Sequence, residues 1–337
     1  MHIALIGPGI IAIPPPGWGA VEILIWDYYQ ELVKQGHTVV IINTPDIGQI
    51  LNSLHEGDFD FIHLHYDVFC DILFYIKTIF PRAKVAITSH YPYIDDSSKY
   101  KNDGYDRVFN MMIENHDFCI MPISQRDYDV FYRHAEVKEN VVMIESGASS
   151  KAFNFEPIAS YDNTICLGKI EPRKRQASLQ DLVRVAGITG VHFVGNVADS
   201  AFNTTDPNYL GEWQKDKLYK ELTKYTNLIL LSENENGYPL VVKEALVAGL
   251  GVVVSENSVD TKTKTKKDII LPEFITVIPN EQIANGEYIK NAINKNKEVC
   301  RGDDMRDKIR AYGIATFGYE RIVSDYIDKV DALLLKV

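Results

Sequence analysis

One pattern punctuates this chain twice over: a short apolar run, then a glycine, serine or histidine, then a loop and a helical stretch. His2–Ile6, Thr38–Ile42, Phe61–His65, Lys84–Thr88, Phe118–Met121 and Val141–Ile144 form the first series. Thr164–Leu167, Val191–Val194, Leu228–Leu231 and Gly251–Val254 form the second. Runs this short and continuous read as strands buried on both faces of a parallel sheet. Helices are expected between them, at Ala20–Gln35 (stopped by Gly36), Lys215–Lys224, Pro239–Ala248 and Tyr319–Leu335. Strands alternating with helices demand right-handed βαβ units. The expected fold class is therefore α/β: two doubly wound, Rossmann-like domains facing each other across a cleft. The domains should span 1–155 and 156–318, with a last helix over 319–337 packing back on the first.

Length agrees, since 337 residues suit two domains of about 100–200 residues each. The net charge of −11, from 46 acids against 35 Lys plus Arg, argues against nucleic acid as a partner. A phosphorylated ligand would need a local basic patch. The four cysteines, at 70, 119, 166 and 300, have no metal-knuckle or disulfide spacing. They read as free thiols, which suits a cytoplasmic protein. No apolar run reaches the ~20 residues of a membrane span, and the first residues read as a strand and not as a signal peptide. An acceptor or a peripheral contact at a membrane face stays open.

Open parallel sheets bind ligands outside the carboxyl ends of their strands, so the residues just past each strand carry the functional reading. Ser232–Ala245 follows a strand and opens a helix at Pro239, where a missing N–H costs nothing. The amides of Leu240 and Val241 would be left without acceptors, which makes an anion site. Gly237 would let a phosphate approach, with Tyr238 beside it, and Glu244 would reach the hydroxyls of an adjoining ribose. A plain turn with a surface glutamate is the alternative. Gly168–Gln176 also follows a strand and sets Lys169, Arg173, Lys174 and Arg175 within seven residues. Lys169 and Lys174, aimed inward, would stabilise the charge of a departing diphosphate. A solvated charged turn is the alternative. Gly17 and Gly19 flank Trp18 before a helix and allow backbone amides near a ligand, or simply shape a rigid turn. His90, just past a strand end, can hydrogen-bond a sugar hydroxyl or fill a structural role.

Taken in order, these segments resemble glycosyltransferase family 4, the retaining nucleotide-sugar transferases of the GT-B fold. The matching pieces are Pro15–Gly19 with Ala20-Val21-Glu22, Gly36-His37, His90, Ser124, Ser146-Gly147-Ala148-Ser149 with Phe153, Gly168–Gln176, and Asn236 through Glu244. The resemblance implies that Lys169, Lys174 and Arg173 meet the donor diphosphate and that Glu244 binds the nucleotide ribose. It also implies that Gly237, Tyr238, Pro239, Leu240 and Val241 meet phosphate and sugar. His90 would touch the donor sugar, and Gly17 and Gly19 would line the phosphate or acceptor side. Asn236 stands where the family has a glutamate and would serve as a hydrogen-bonding residue at the sugar. The implied reaction is retaining transfer from a UDP-sugar or GDP-sugar to a glycan, lipid or other hydroxyl acceptor, with no metal or other cofactor. A nucleotide-sugar epimerase and a non-catalytic sugar-nucleotide binding protein are the competing functions.

Other motifs point elsewhere. Asp58-Phe59-Asp60 and Asp127-Tyr128-Asp129 have the D-x-D form of a metal–diphosphate site, but the first precedes its strand and the second falls on a helix. His63 and His65 share one strand face in a zinc-like spacing, with no further ligand nearby in sequence. Gly7-Pro8-Gly9-Ile10-Ile11-Ala12 has a dinucleotide-binding form, yet Pro14–Pro16 obstructs the helix it needs. Lys262–Lys267 reads as an exposed loop.

Overall fold

The computed structural model describes residues 1–155, 160–235, 237–259 and 271–335. Asn236 and the Lys262–Lys267 run lie outside the described residues. The chain divides into two compact units. The first holds residues 1–15, 19–146 and 319–337, and the second holds 16–18 and 147–318.

The first unit carries β1 (His2–Gly7), β2 (Thr38–Asn43), β3 (Phe61–Leu64), β4 (Lys84–Ile87) and β5 (Cys119–Ile120). Its helices are α1 (Ala20–Lys34), α2 (Ile47–His55), α3 (Ile72–Ile79), α4 (Ser97–Asn102), α5 (Asp106–Ile113) and α6 (Gln125–His134). The strands pair in parallel in the order β2-β1-β3-β4-β5. Ile3, Ala4, Leu5 and Ile6 are wholly buried because successive side chains enter opposite layers. Ala4 and Ile6 meet a cluster with Ile50, Leu73 and Phe109, while Ile3 and Leu5 meet one with Leu24, Tyr28 and Tyr326. α1 stops where expected. Gly36 (φ +90°) donates to Val33 O and His37 to Leu32 O, an end that needs a left-handed residue.

The second unit carries β6 (Thr164–Leu167), β7 (Val191–Val194), β8 (Asn227–Leu230), β9 (Gly251–Ser255) and β10 (Ile275–Ile278). With them go α7 (Gln176–Val185), α8 (Lys215–Glu221), α9 (Leu240–Val247), α10 (Gly286–Val299) and α11 (Asp303–Phe317). Its parallel order is β10-β9-β8-β6-β7. Counted from the first strand of each unit, the two sheets have the same order, 2-1-3-4-5. That order reverses direction between β1 and β3 in one unit and between β6 and β8 in the other. A final helix, α12 (Tyr319–Leu334), belongs to the first unit. Its buried face, Tyr319, Ile322, Val323, Tyr326, Ile327, Val330 and Leu333, has helical spacing and packs against α1.

Four readings of the sequence need correction. Val141–Ile144 is not a strand. It lies beside β5, with Val142 N donating to Ile120 O and Ile144 N to Pro122 O, but Pro122 has no N–H to return the bond. β10 answers to no strand in the sequence reading. The segment Lys215–Lys224 is α-helical only to Glu221 and tightens into a 3-10 turn at Leu222–Lys224. The units divide at Ser146 and Gly147, ahead of the expected 155, because Ala148 and Phe153 are buried in the second core.

Candidate functional site

Ligands of an open parallel sheet lie outside the strand ends where the order reverses. In the second unit those are the loops after β6 and β8, and both cation-rich and glycine-rich stretches fall there. Gly168 (φ +129°) leaves β6 and donates to Val194 O at 3.0 Å. A Cβ on neighbouring Gly195 (φ +155°) would lie 1.9 Å from Gly168 O, so two bare backbones touch at this edge. Gln176, 1% exposed, then sets the shape of the loop. Its Nε2 donates to Lys169 O at 2.9 Å, and its Oε1 accepts from Glu171 N at 3.2 Å.

The three expected cations take different positions. The Lys174 ammonium curls back over the strand end, 3.3 Å from where a Cβ on Gly168 would stand. No ion-pair partner holds it among the described residues. Lys169 Nζ is 3.8 Å from Glu171 Oε2 and 5.4 Å from the centre of the Trp18 ring. Arg173 is a brace. It pairs with Glu171 at 2.8 Å and Glu235 at 3.1 Å, and Nη1 donates to Asn234 O. Its own carbonyl accepts from Glu233 N at 2.8 Å, so it ties the β6 loop to the β8 loop. Burial opposes its charge, but the Glu235 and Glu171 carboxylates outweigh burial and hold the guanidinium above its usual range. Arg173, expected at the diphosphate, is thus held here by groups of both loops. Beneath the loop, burial lifts the Cys166 thiol to about 12 against the pull of Lys174.

After β8, Gly237 takes φ +68° and Pro239 caps α9 without a side-chain bond. The Val242 and Lys243 amides both turn to Pro239 O, at 3.0 and 3.2 Å. The Leu240 and Val241 amides have no acceptor among the described residues, as expected at a helix start. The Tyr238 ring packs 5.2 Å from Phe317 against the core, so only its backbone belongs to this edge. Glu244 is buried, 4% exposed, and its Oε1 accepts from Lys215 Nζ at 2.6 Å. Sequence reasoning missed Lys215, the first residue of α8, because nothing local in the sequence links it to Glu244. Gly17 also groups with this unit, and a Cβ there would lie 3.3 Å from Gln214 Oε1.

His90 and Gly19 belong to the first unit. Gly19 (φ +126°) begins α1, and a Cβ there would meet Glu22 Oε2 at 2.8 Å. His90, past β4, ends a stack of three imidazoles that begins on β3 with His63. Ring centres are 4.0 Å apart for His63 and His65 and 6.0 Å for His65 and His90. His63 is bonded to Tyr326 OH at 3.0 Å and Thr88 Oγ1 at 2.8 Å. Both ring nitrogens of His65 and Nε2 of His90 are buried with no hydrogen-bond partner among the described residues. Burial pushes His63 down to about 3 and His90 to about 4, with His65 well below its usual value. The stack is therefore neutral. Nearby Asp67 accepts from Ser89 Oγ at 2.6 Å and from Tyr105 OH; burial raises it and those bonds oppose the rise. With both its nitrogens taken, His63 does not serve as the zinc ligand its spacing suggested. Among the described residues no group of three or more His, Cys, Asp or Glu is arranged to hold a metal, and no helix is long and apolar enough to cross a membrane. Gly9 donates to Asn43 Oδ1 at 2.8 Å, and no helix follows until Ala20.

No family model matches the chain, and no curated protein matches its sequence. Solved structures match its fold over their whole length. Sucrose-phosphate synthase from Thermosynechococcus elongatus matches with a TM-score of 0.73 at 16% identity, covering 100% of each chain. AviGT4, a glycosyltransferase involved in avilamycin A biosynthesis, matches at 0.69 and 16%, covering 100% of this chain and 98% of its own. HepE of Anabaena in complex with UDP and glucose matches at 0.67 and 14%, covering 98% and 100%. The chain has the GT-B fold of such glycosyltransferases.

Proposed function

We propose that this chain is a glycosyltransferase that moves a sugar from a nucleotide-sugar, a UDP-sugar foremost, to a hydroxyl of a glycan, lipid or other acceptor. One observation carries the reading. At the sheet's switch point Lys174, an ammonium with no ion-pair partner among the described residues, stands in the loop beside one that opens a helix at Leu240 and Val241, whose amides have no acceptor among those residues. That is the equipment for a diphosphate. HepE of Anabaena, a fold neighbour, has been crystallised with UDP-glucose, which favours uridine among the nucleotides.

The mechanism follows from charge. As the bond from the anomeric carbon to the phosphate oxygen breaks, negative charge grows on the diphosphate. Lys174, with Lys169 released from Trp18, meets that charge without reorganising solvent. These cations do the work a divalent ion would do. The acceptor hydroxyl attacks the face that the phosphate leaves, and the departing phosphate oxygen takes its proton, so the configuration is retained. His90 is neutral and so is suited to hydrogen-bonding a sugar hydroxyl. Glu244 is the ribose residue.

UDP-glucose should raise the melting temperature of the wild-type protein, as any ligand of the folded state does. Lys174→Ala should cut sugar-dependent UDP release about 100-fold while leaving the unliganded melt unchanged. Wild-type turnover in Lys174→Ala would remove the assignment. Donor conversion with no acceptor and no UDP release would make the protein an epimerase instead.

A further inference from the structure

Lys215 has no place in the mechanism above, yet its ion pair with Glu244 is the most enclosed pair in the second unit's site. Its side chains are 15% and 5% exposed, and Nζ stands 2.6 Å from Oε1. The Tyr219 ring lies 5.4 Å from the same ammonium, and the Lys215 amide donates to Pro16 O at 3.3 Å. Lys215 is thus held from its backbone, its ring contact and its charge together.

We propose that Lys215 is a specificity-determining residue that, paired with Glu244, reads the two ribose hydroxyls of a nucleoside diphosphate; this rests on the function proposed above. The chemistry is a count of donors and acceptors. Glu244 spends Oε1 on Lys215 and keeps Oε2 as an acceptor. The ammonium spends one N–H and keeps two donors. A vicinal diol offers the complement, because one hydroxyl can donate to Oε2 while the other accepts from Nζ. Electrostatics gives the second reason. Glu244 lies on the helix whose first amides would meet a diphosphate, and an uncompensated buried carboxylate there would repel the ligand. Lys215 makes the pair neutral, so anion and ribose can be bound side by side.

The test is calorimetry with UDP and 2′-deoxy-UDP, repeated with GDP and 2′-deoxy-GDP. The wild-type protein should bind the ribonucleotide at least about tenfold more tightly than its deoxy partner, because a site built around a hydroxyl is left unpaired without it. Lys215→Met should bring the two affinities within about twofold of each other. A pair that only supports the fold would lower both affinities alike and leave their ratio standing, which overturns the proposal. Should Lys215→Met not fold, Lys215→Gln keeps a hydrogen-bond donor for Glu244 and leaves Glu244 itself in place, and the same fall of the ratio is expected. A wild-type protein that binds neither UDP nor GDP overturns the proposed function and this assignment with it. Tight binding whose ribose preference survives in the variants overturns this assignment alone.

Discussion

The two sheets share a strand order but carry opposite chemistry at the carboxyl ends of their strands. His63 on β3 is followed past the ends of β3 and β4 by His65 and His90, all neutral, with Asp67 shielded beneath Ser89 and Tyr105. Past β6 stand Lys169, Arg173 and Lys174, and past β8 stands Glu244, paired with Lys215 from the segment after β7, within a protein of net charge −11. The first edge offers uncharged hydrogen-bonding groups, suited to hydroxyls. The second offers fixed positive charge and open amides, suited to a polyanion. One topology therefore supports two chemistries, and the loops alone make the difference.

The contrast can be broken at its backbone first. Gly195→Ala would drive a Cβ to 1.9 Å from Gly168 O, with a φ that suits only glycine. A loss of about 4 kcal/mol or more is expected, read by urea denaturation. A near-wild-type midpoint would show that the second edge does not depend on that close approach. Acid tests the other edge. The stacked histidines have native values below their ordinary one, so the unfolded chain binds more protons than the native chain. Their contribution is complete above pH 6.5 and is lost as pH falls toward about 4 for His90 and about 3 for His63. Lowering the pH from 7 to 5 should cost about 2 kcal/mol for each of these two residues. A flat profile across that range would show that the stack is not neutral. The smallest effect belongs to the brace. Arg173→Ala removes bonds to Glu171, Glu235 and Asn234 in a partly exposed place, and about 1–2 kcal/mol should be lost. A large fall in activity with no loss of stability would return Arg173 to the ligand.

Much of this architecture is legible in one dimension. Strands such as Thr164–Leu167 and Val191–Val194 announce themselves because a strand buried on both faces has no polar alternative. Helix ends are as plain, since Gly36 alone among its neighbours accepts the left-handed turn that closes α1. The loop positions of Lys169 and Lys174, and that of Glu244 on the helix after β8, follow from the same reading, because the strand ends place them. Misreadings occur where a partner decides. Val141–Ile144 has strand composition and fails on the missing N–H of Pro122. Asn236 lies outside the described residues.

By itself the sequence determined where strands start and stop, which residues leave them, and that two α/β series follow one another. These are local properties, set by side-chain burial and by backbone angles within a few residues. Tertiary structure alone decided that Arg173 would be a brace, that Lys215 would meet Glu244, and that three histidines from two strands would stack in a neutral column. Each of those needs groups far apart in sequence to lose water together, and which charges then find partners depends on sheet order, which no local pattern records.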